Sequence, residues 1–207
     1  MTERIEAAAR RAGRDPSCVT LVAVTKTRPL EDLLAAYAGG VRHFGENRVQ
    51  EAEAKFPQLP RDAVKHLVGP IQSNKTNKVA RLADVLHAVD SADVARRLAR
   101  AAGNEARRLA VYVEVNTGGE ETKAGVSPAG APALVEAVRT LPELDLLGLM
   151  AIPPPGDTRP HFVVLRTLAA TLGLTGLSMG MSDDFEAAIE EGATVVRVGS
   201  ALFGSRS

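Results

Sequence analysis

Lys26 stands where an apolar, strand-forming run, Leu21-Val-Ala-Val, gives way through Thr25 to Pro29 and a helix-forming stretch beginning at Leu30. The carboxyl end of a strand is where ligands gather in parallel α/β architectures. A lysine desolvated at that edge has its ammonium form disfavoured, and the free amine can attack a carbonyl. A lone lysine at a strand end ordinarily reaches into solvent. The rest of the chain overturns that reading.

Two later stretches supply the complement. Ser178-Met-Gly-Met-Ser182 and Arg197-Val-Gly-Ser200 each combine a strand end, a glycine, a hydroxyl and the start of a helix. Glycine lets the backbone approach a phosphate, serine hydroxyls donate, and the free amides of a helix start favour an anion. Either stretch alone reads equally well as a plain turn. Together, after the last two strands of a barrel, they read as a phosphate cradle. Arg197 is the odd residue of Val195-Val-Arg-Val. Outward it would pair with a helix carboxylate; inward it is a permanent cation. An amine facing a phosphate cradle describes a phosphorylated aldehyde or ketone held as a Schiff base. Aldolase-type sugar-phosphate chemistry and pyridoxal phosphate both fit. An inward Arg197 separates them, because beside a pyridine nitrogen it would keep that nitrogen unprotonated.

The elements that must position these residues alternate between short apolar runs and amphipathic stretches. Predicted strands cover Leu21–Val24, Val41–Gly45, His66–Gly69, Val85–Val89, Leu109–Val115, Leu144–Met150, Thr175–Ser178 and Thr194–Val198. Between them, helices are predicted from Pro29 to Gly39-Gly40, from Arg48 to Lys55, from Ser73 to Leu82 and from Val94 to Ala102 behind an Asp90-Ser91 cap. Asn116-Thr-Gly-Gly feeds a loop to Lys123, and further helices follow at Pro128–Thr140, Phe162–Leu172 and Phe185–Glu191, the last capped by Ser182-Asp-Asp. The leading segment reads as an ordinary helix ending at Gly13, with Ile5, Ala8, Ala9 and Ala12 on one stripe; Glu3, Glu6 and Asp15 argue against a transit peptide. This order predicts an α/β fold, a single (β/α)8 TIM barrel over residues 1–207. An open doubly wound sheet is the alternative, and the missing Gly-x-Gly-x-x-Gly turn after the first strand speaks against it.

Composition narrows the classes. The 25 basic and 25 acidic side chains cancel, so neither nucleic acid nor an acidic membrane is indicated as a partner. Cys18 is the only cysteine, which excludes an intramolecular disulfide and suits a reducing cytoplasm. No apolar run approaches a membrane span.

Six motifs occur in register: Val-Ala-Val-Thr-Lys-Thr-Arg-Pro, Phe-Gly-Glu-Asn-Arg-Val-Gln-Glu, His-Leu-Val-Gly-Pro-Ile-Gln-Ser-Asn-Lys, Gly-Leu-Met-Ala-Ile-Pro, Leu-Ser-Met-Gly-Met-Ser-Asp-Asp and Val-Arg-Val-Gly-Ser-Ala-Leu-Phe-Gly. Together they resemble the pyridoxal phosphate homeostasis protein family of the YggS/PROSC type, whose fold is similar to the barrel domain of alanine racemase. The resemblance runs from about Ile5 to Gly204. It implies a pyridoxal 5′-phosphate binder with Lys26 as the Schiff-base lysine and Ser178 as a phosphate-binding serine. By the same matching, Gly199 and Ser200 give phosphate amides, Arg197 lies near the pyridine nitrogen, and Asn47 and Met150 line the cofactor pocket. Ser73, Asn74 and Lys75 match a family motif that fits a helix cap as well as a ligand contact, and Asn116 a turn as well as a pocket wall. The segment before His66 lacks the family's usual aromatic, and Gly156 to Gly176 is shorter than usual; both lie away from the matched cofactor positions.

The function implied is a cytoplasmic, monomeric and non-catalytic holder or donor of the vitamin B6 cofactor, with apo-forms of pyridoxal phosphate enzymes as acceptors. A racemase or decarboxylase is the alternative. It would require a second domain or partner to supply an acid/base group opposite Lys26, and with Ser207 a few residues past the eighth strand no such domain is expected.

Overall fold

The computed structural model describes residues 1–120 and 124–204, so the Lys123 end of the predicted loop lies outside the described residues. Eight strands, β1 (Thr20–Val24), β2 (His43–Glu46), β3 (Val64–Leu67), β4 (Val85–Val89), β5 (Leu109–Glu114), β6 (Leu144–Met150), β7 (Gly176–Ser178) and β8 (Val195–Val198), close in sequence order into a parallel barrel. Closure runs from Thr20 opposite Val195 to Ala23 opposite Val198. The barrel is surrounded by α1 (Thr2–Arg11), α2 (Leu30–Ala38), α3 (Val49–Lys55), α4 (Thr76–Leu82), α5 (Ala92–Asn104), α6 (Ala131–Arg139), α7 (Arg159–Thr171), α8 (Phe185–Glu190) and α9 (Ser200–Phe203). This is the (β/α)8 barrel that the strand–helix alternation predicts.

Strands covered on both faces bury both sets of alternating side chains. Ala23 of β1 packs outward with Leu33 of α2, whereas Val22 joins Val85, Tyr112, Met150 and Val195 inside the barrel. Two residues further along the same strands stand Val24, His87, Glu114 and Arg197. The apolar plug thus gives way, one pleat repeat later, to polar groups near the mouth. β6 and β7 approach at glycines: a Cβ on Gly148 would lie 1.9 Å from the Gly176 carbonyl oxygen, so only hydrogen fits there.

Several boundaries differ from the sequence expectations for local reasons. Residues Ser73–Lys75 form a 3₁₀ turn before α4, tied by the Lys75 N–H to Gln72 O and the Thr76 hydroxyl to Ser73 O. That places the Ser-Asn-Lys motif at a helix entrance. α7 starts earlier than Phe162, with Pro160 in its first turn, where the missing N–H costs nothing. Ser91 caps α5 as expected, accepting from Val94 N–H. Ser182 does not cap α8; Asp184 folds back to accept from Met181 N–H at 2.6 Å, and Ser182 is directed elsewhere.

Candidate functional site

A cavity of about 370 Å³ opens at the carboxyl ends of the strands, within the usual size for a small-molecule site. Lys26, Asn47, Arg197, Gly199 and Ser200 all line it, so the barrel brings together residues far apart in sequence. Lys26 stands two residues past the end of β1 and is half-buried. Asn47 follows β2 and is held close to the turn after β3; a Cβ on Gly69 would sit 2.2 Å from the Asn47 carbonyl oxygen. Ile152 and Met181, both exposed, form part of its lining.

The wall next to β1, on the side where β8 closes the barrel, is built by the β7 and β8 loops. Ser182 Oγ accepts from the Gly199 N–H and the Ala201 N–H, both at 3.2 Å. Two backbone amides therefore converge on one oxygen at the cavity wall, and the hydroxyl hydrogen of Ser182 remains to donate. A hydroxyl held by two amides, with its own hydrogen free, suits an anion. Gly199 also lies against β1, where an added Cβ would come within 3.2 Å of Val24 O.

Ser178 and Met150, which the family matching also assigns to the cofactor site, stand apart from the lining residues. Both are fully buried, and neither lines the cavity. Met150 belongs to the apolar plug below it. Ser178 accepts from Arg197 Nη1 at 2.6 Å and sits 2.8 Å from His87 Nδ1, so its hydroxyl is already committed beneath the cavity floor. The serine of the same motif that reaches the cavity is Ser182.

Arg197 points inward. Its Nη1 also donates to Ser178 O at 2.8 Å and its Nη2 to Ala151 O at 3.0 Å, which uses three of its five N–H donors. Burial pulls it down to about 10, so it stays a cation at neutral pH. Below it runs a hydrogen-bonded series through the barrel: His87 to His66 at 2.9 Å, and His66 to the half-buried His43 at 2.9 Å. Burial depresses all three histidines, His66 to about 3 and His87 well below the ordinary value. The Tyr112 ring stacks on His87 with centroids 4.9 Å apart.

Glu114 was not singled out by sequence reasoning. It lines the cavity, is nearly inaccessible, and is pushed up to about 7 by burial, with nearby Asp90 adding and Arg197 opposing. The signal was available, since an acid in Val111-Tyr-Val-Glu-Val is as anomalous as the arginine of β8. Asn116, by contrast, closes a turn, its side chain bonding Glu120 O and the Gly119 N–H. Tyr37 donates to Asp62 at 2.5 Å on the surface, and Tyr112 packs in the plug, so neither tyrosine reaches the cavity. Among the described residues no cluster of histidine, cysteine and acidic side chains could hold a metal, and no helix is long and apolar enough to cross a membrane.

The arrangement thus presents an amine and an anion site on adjoining parts of one cavity wall, with a guanidinium in the same lining. The family model of the alanine racemase N-terminal domain matches residues 1–207. A pyridoxal phosphate homeostasis protein of Pseudomonas aeruginosa is 49% identical over 98% of this chain and 91% of its own length, and one of Aquifex aeolicus is 43% identical over 99% and 94%. The solved structure of PipY from Synechococcus elongatus with PLP bound superposes with a TM-score of 0.85 at 42% identity, covering 98% of this chain and 99% of that one. Alanine racemase from Corynebacterium glutamicum, at 17% identity and a TM-score of 0.73 over 99% of this chain and 60% of the enzyme, shares the fold.

Proposed function

The chain belongs to the pyridoxal phosphate homeostasis proteins, within the family of the alanine racemase N-terminal domain, and from that premise we propose how it holds pyridoxal 5′-phosphate. It binds this cofactor and serves its homeostasis. Lys26 is the amine that takes the aldehyde. The Ser182 hydroxyl, oriented by the Gly199 and Ala201 amides, and the Gly199-Ser200 turn hold the phosphate, and Arg197 faces the ring nitrogen. Bound pyridoxal phosphate supplies an electrophilic aldehyde and a ring that takes up electron density.

The observation that carries this assignment is the convergence of two amides on one oxygen in the same cavity that Lys26 lines. The cavity suits the molecule: it is large enough, and its cations Lys26, Arg28 and Arg197 outnumber its anions Glu114 and Asp183, as a phosphate requires. Arg197, already fixed by three bonds, is a poor proton donor to a pyridine nitrogen. It therefore keeps that nitrogen unprotonated and the ring a weak electron sink. Together with an accessible mouth and tyrosines outside the cavity lining, this supports a non-catalytic holder, which we propose to act in the cytoplasm as a monomer that hands its ligand to apo-enzymes.

The test is borohydride treatment of the loaded protein followed by peptide mass analysis. The ligand is expected on Lys26, within the Val22-to-Arg28 peptide. Its fixation mainly on Lys75, Lys78 or Lys123 overturns the assignment. Pyridoxal lacking phosphate should bind far more weakly, and equal affinities would remove the anion site.

A further inference from the structure

Thr27, next to Lys26, has φ +64°. A β-branched residue in the left-handed region is a genuine outlier, held there only by its surroundings. Those surroundings converge on one ammonium group. The Thr27 N–H donates to Glu51 Oε2 at 2.8 Å, and the same oxygen accepts from Lys55 Nζ at 3.0 Å. Lys55 Nζ also donates to Thr25 O at 2.9 Å and to Glu46 Oε1 at 2.8 Å, so its three protons meet three acceptors. Glu46 Oε1 in turn accepts from the Thr25 hydroxyl at 2.7 Å.

The Thr25 carbonyl and the Thr27 N–H belong to the two peptide groups that flank the Lys26 Cα. Both are tied, one directly and one through Glu51, to Lys55. With both planes fixed, the Cα–Cβ direction of Lys26 is fixed too. An ion cluster that served stability alone need not grip the backbone on each side of a single residue. Glu46 is fully buried, and its second oxygen has no hydrogen-bond partner among the described residues, so it relies on Lys55 and Thr25.

We propose that Lys55, with Glu46 and Glu51, is the positioning device of Lys26: it holds the strained Thr27 peptide so that the Lys26 amine is aimed into the cavity. The inference rests on the reading of Lys26 as the reactive amine. None of the three residues lines the cavity, so all act through Lys26.

Lys55→Met tests this. The rate at which pyridoxal 5′-phosphate with cyanoborohydride modifies Lys26 should fall on the order of 10–100-fold, the cost of an ångström-scale misplacement. Reductive methylation of Lys26 by formaldehyde, which requires no aim into the cavity, should stay within about twofold of wild type. Adding Thr27→Gly, which adopts positive φ without strain, should restore part of the lost rate. Equal loss with both aldehydes, or none, overturns the proposal. If Lys55→Met fails to fold, Glu51→Gln, which keeps an acceptor for Thr27 N–H, should outperform Glu51→Ala, and equality of the two overturns it. A ligand-free crystal structure of the Lys55→Met or Glu51→Ala protein decides independently of what the cavity binds: unchanged Thr27 φ and Lys26 direction overturn the clamp. Modification of wild type away from Lys26 would sink the functional reading instead.

Discussion

Arg197 grips Ser178 twice, donating from Nη1 to both its carbonyl and its hydroxyl oxygen. A guanidinium can only donate, so the Ser178 hydroxyl hydrogen is free to turn to His87 Nδ1. His87 must then carry its proton on Nε2 and give it to His66 Nδ1, and His66 must do the same toward His43 Nδ1. One fixed cation thus sets the tautomer of three histidines. Nitrogen-15 NMR should find His87 and His66 as neutral Nε2–H tautomers at pH 7. An Nδ1–H form at either would break the series.

Ser178 and Ser182 should separate cleanly on mutation. Ser182→Ala removes a cavity-facing hydroxyl donor at a partly exposed turn, so affinity for pyridoxal 5′-phosphate should fall by about 1.5–3 kcal/mol, a larger effect than its cost to fold stability. Ser178→Ala leaves Arg197 and His87 short of a buried partner. It should cost about 1–3 kcal/mol of stability. Titration and urea unfolding of both variants check this, and a phosphate-specific loss in Ser178→Ala would instead favour Ser178 as the family matching implies.

The barrel, and the meeting of Lys26 with Gly199 and Ser200, were legible because strand runs, glycines and turn residues recur with a period that local physics dictates. Ser178 against Ser182 was not legible. The two stand four residues apart in one motif, and which hydroxyl reaches the cavity depends on where β7 ends and how Asp184 folds the following turn. The histidine series was equally hidden: His43, His66 and His87 stand on three separate strands, and only barrel closure places them side by side. Glu114 was missed although its pattern was the one that exposed Arg197. The clamp on Lys26 needs contacts between β1, β2 and α3 that no spacing reveals.

The buried histidines set the acid limit of stability. Their folded values lie below the ordinary 6.5, His66 at about 3. Between those limits the unfolded chain binds protons that the folded protein refuses. Stability is therefore complete above about pH 6.5 and declines as pH falls, by up to about 1.4 kcal/mol per pH unit for each histidine. Urea midpoints across pH 4–7 should show this decline, and His66→Gln should reduce its slope.

Glu114 acts in the opposite sense. Its folded value of about 7 stands above the unfolded 4.5, so its contribution is fully present below pH 4.5 and is lost as pH rises through 7, where a charge must form in a buried wall. Glu114→Gln should thus gain stability over wild type between pH 5 and 8 and leave the two alike near pH 4. The same unfolding series reads it; a Gln variant whose advantage does not grow with pH would place Glu114 in solvent-like surroundings.

Glu114 is also the cavity side chain that titrates near neutrality, which makes it the group to exclude before the protein is called non-catalytic. Racemisation of an amino acid needs a base on each face of the cofactor, one removing the α-proton and another returning it. Lys26 is one candidate base. Tyr37 is bonded to Asp62 on the surface, and Tyr112 is stacked on His87 inside the plug, so neither supplies the second. Glu114 lies at the end of β5 beside Arg197, and with Arg197 at the ring nitrogen as proposed, a weak electron sink would disfavour α-proton loss as well. Loaded protein incubated with L-alanine in deuterated water should show no inversion and, at most, slow α-deuteration that retains configuration and persists in Glu114→Gln. Inversion at ordinary enzyme rates, on the order of 1 per second or faster, would make this chain a racemase; its loss in Glu114→Gln would then name the second base.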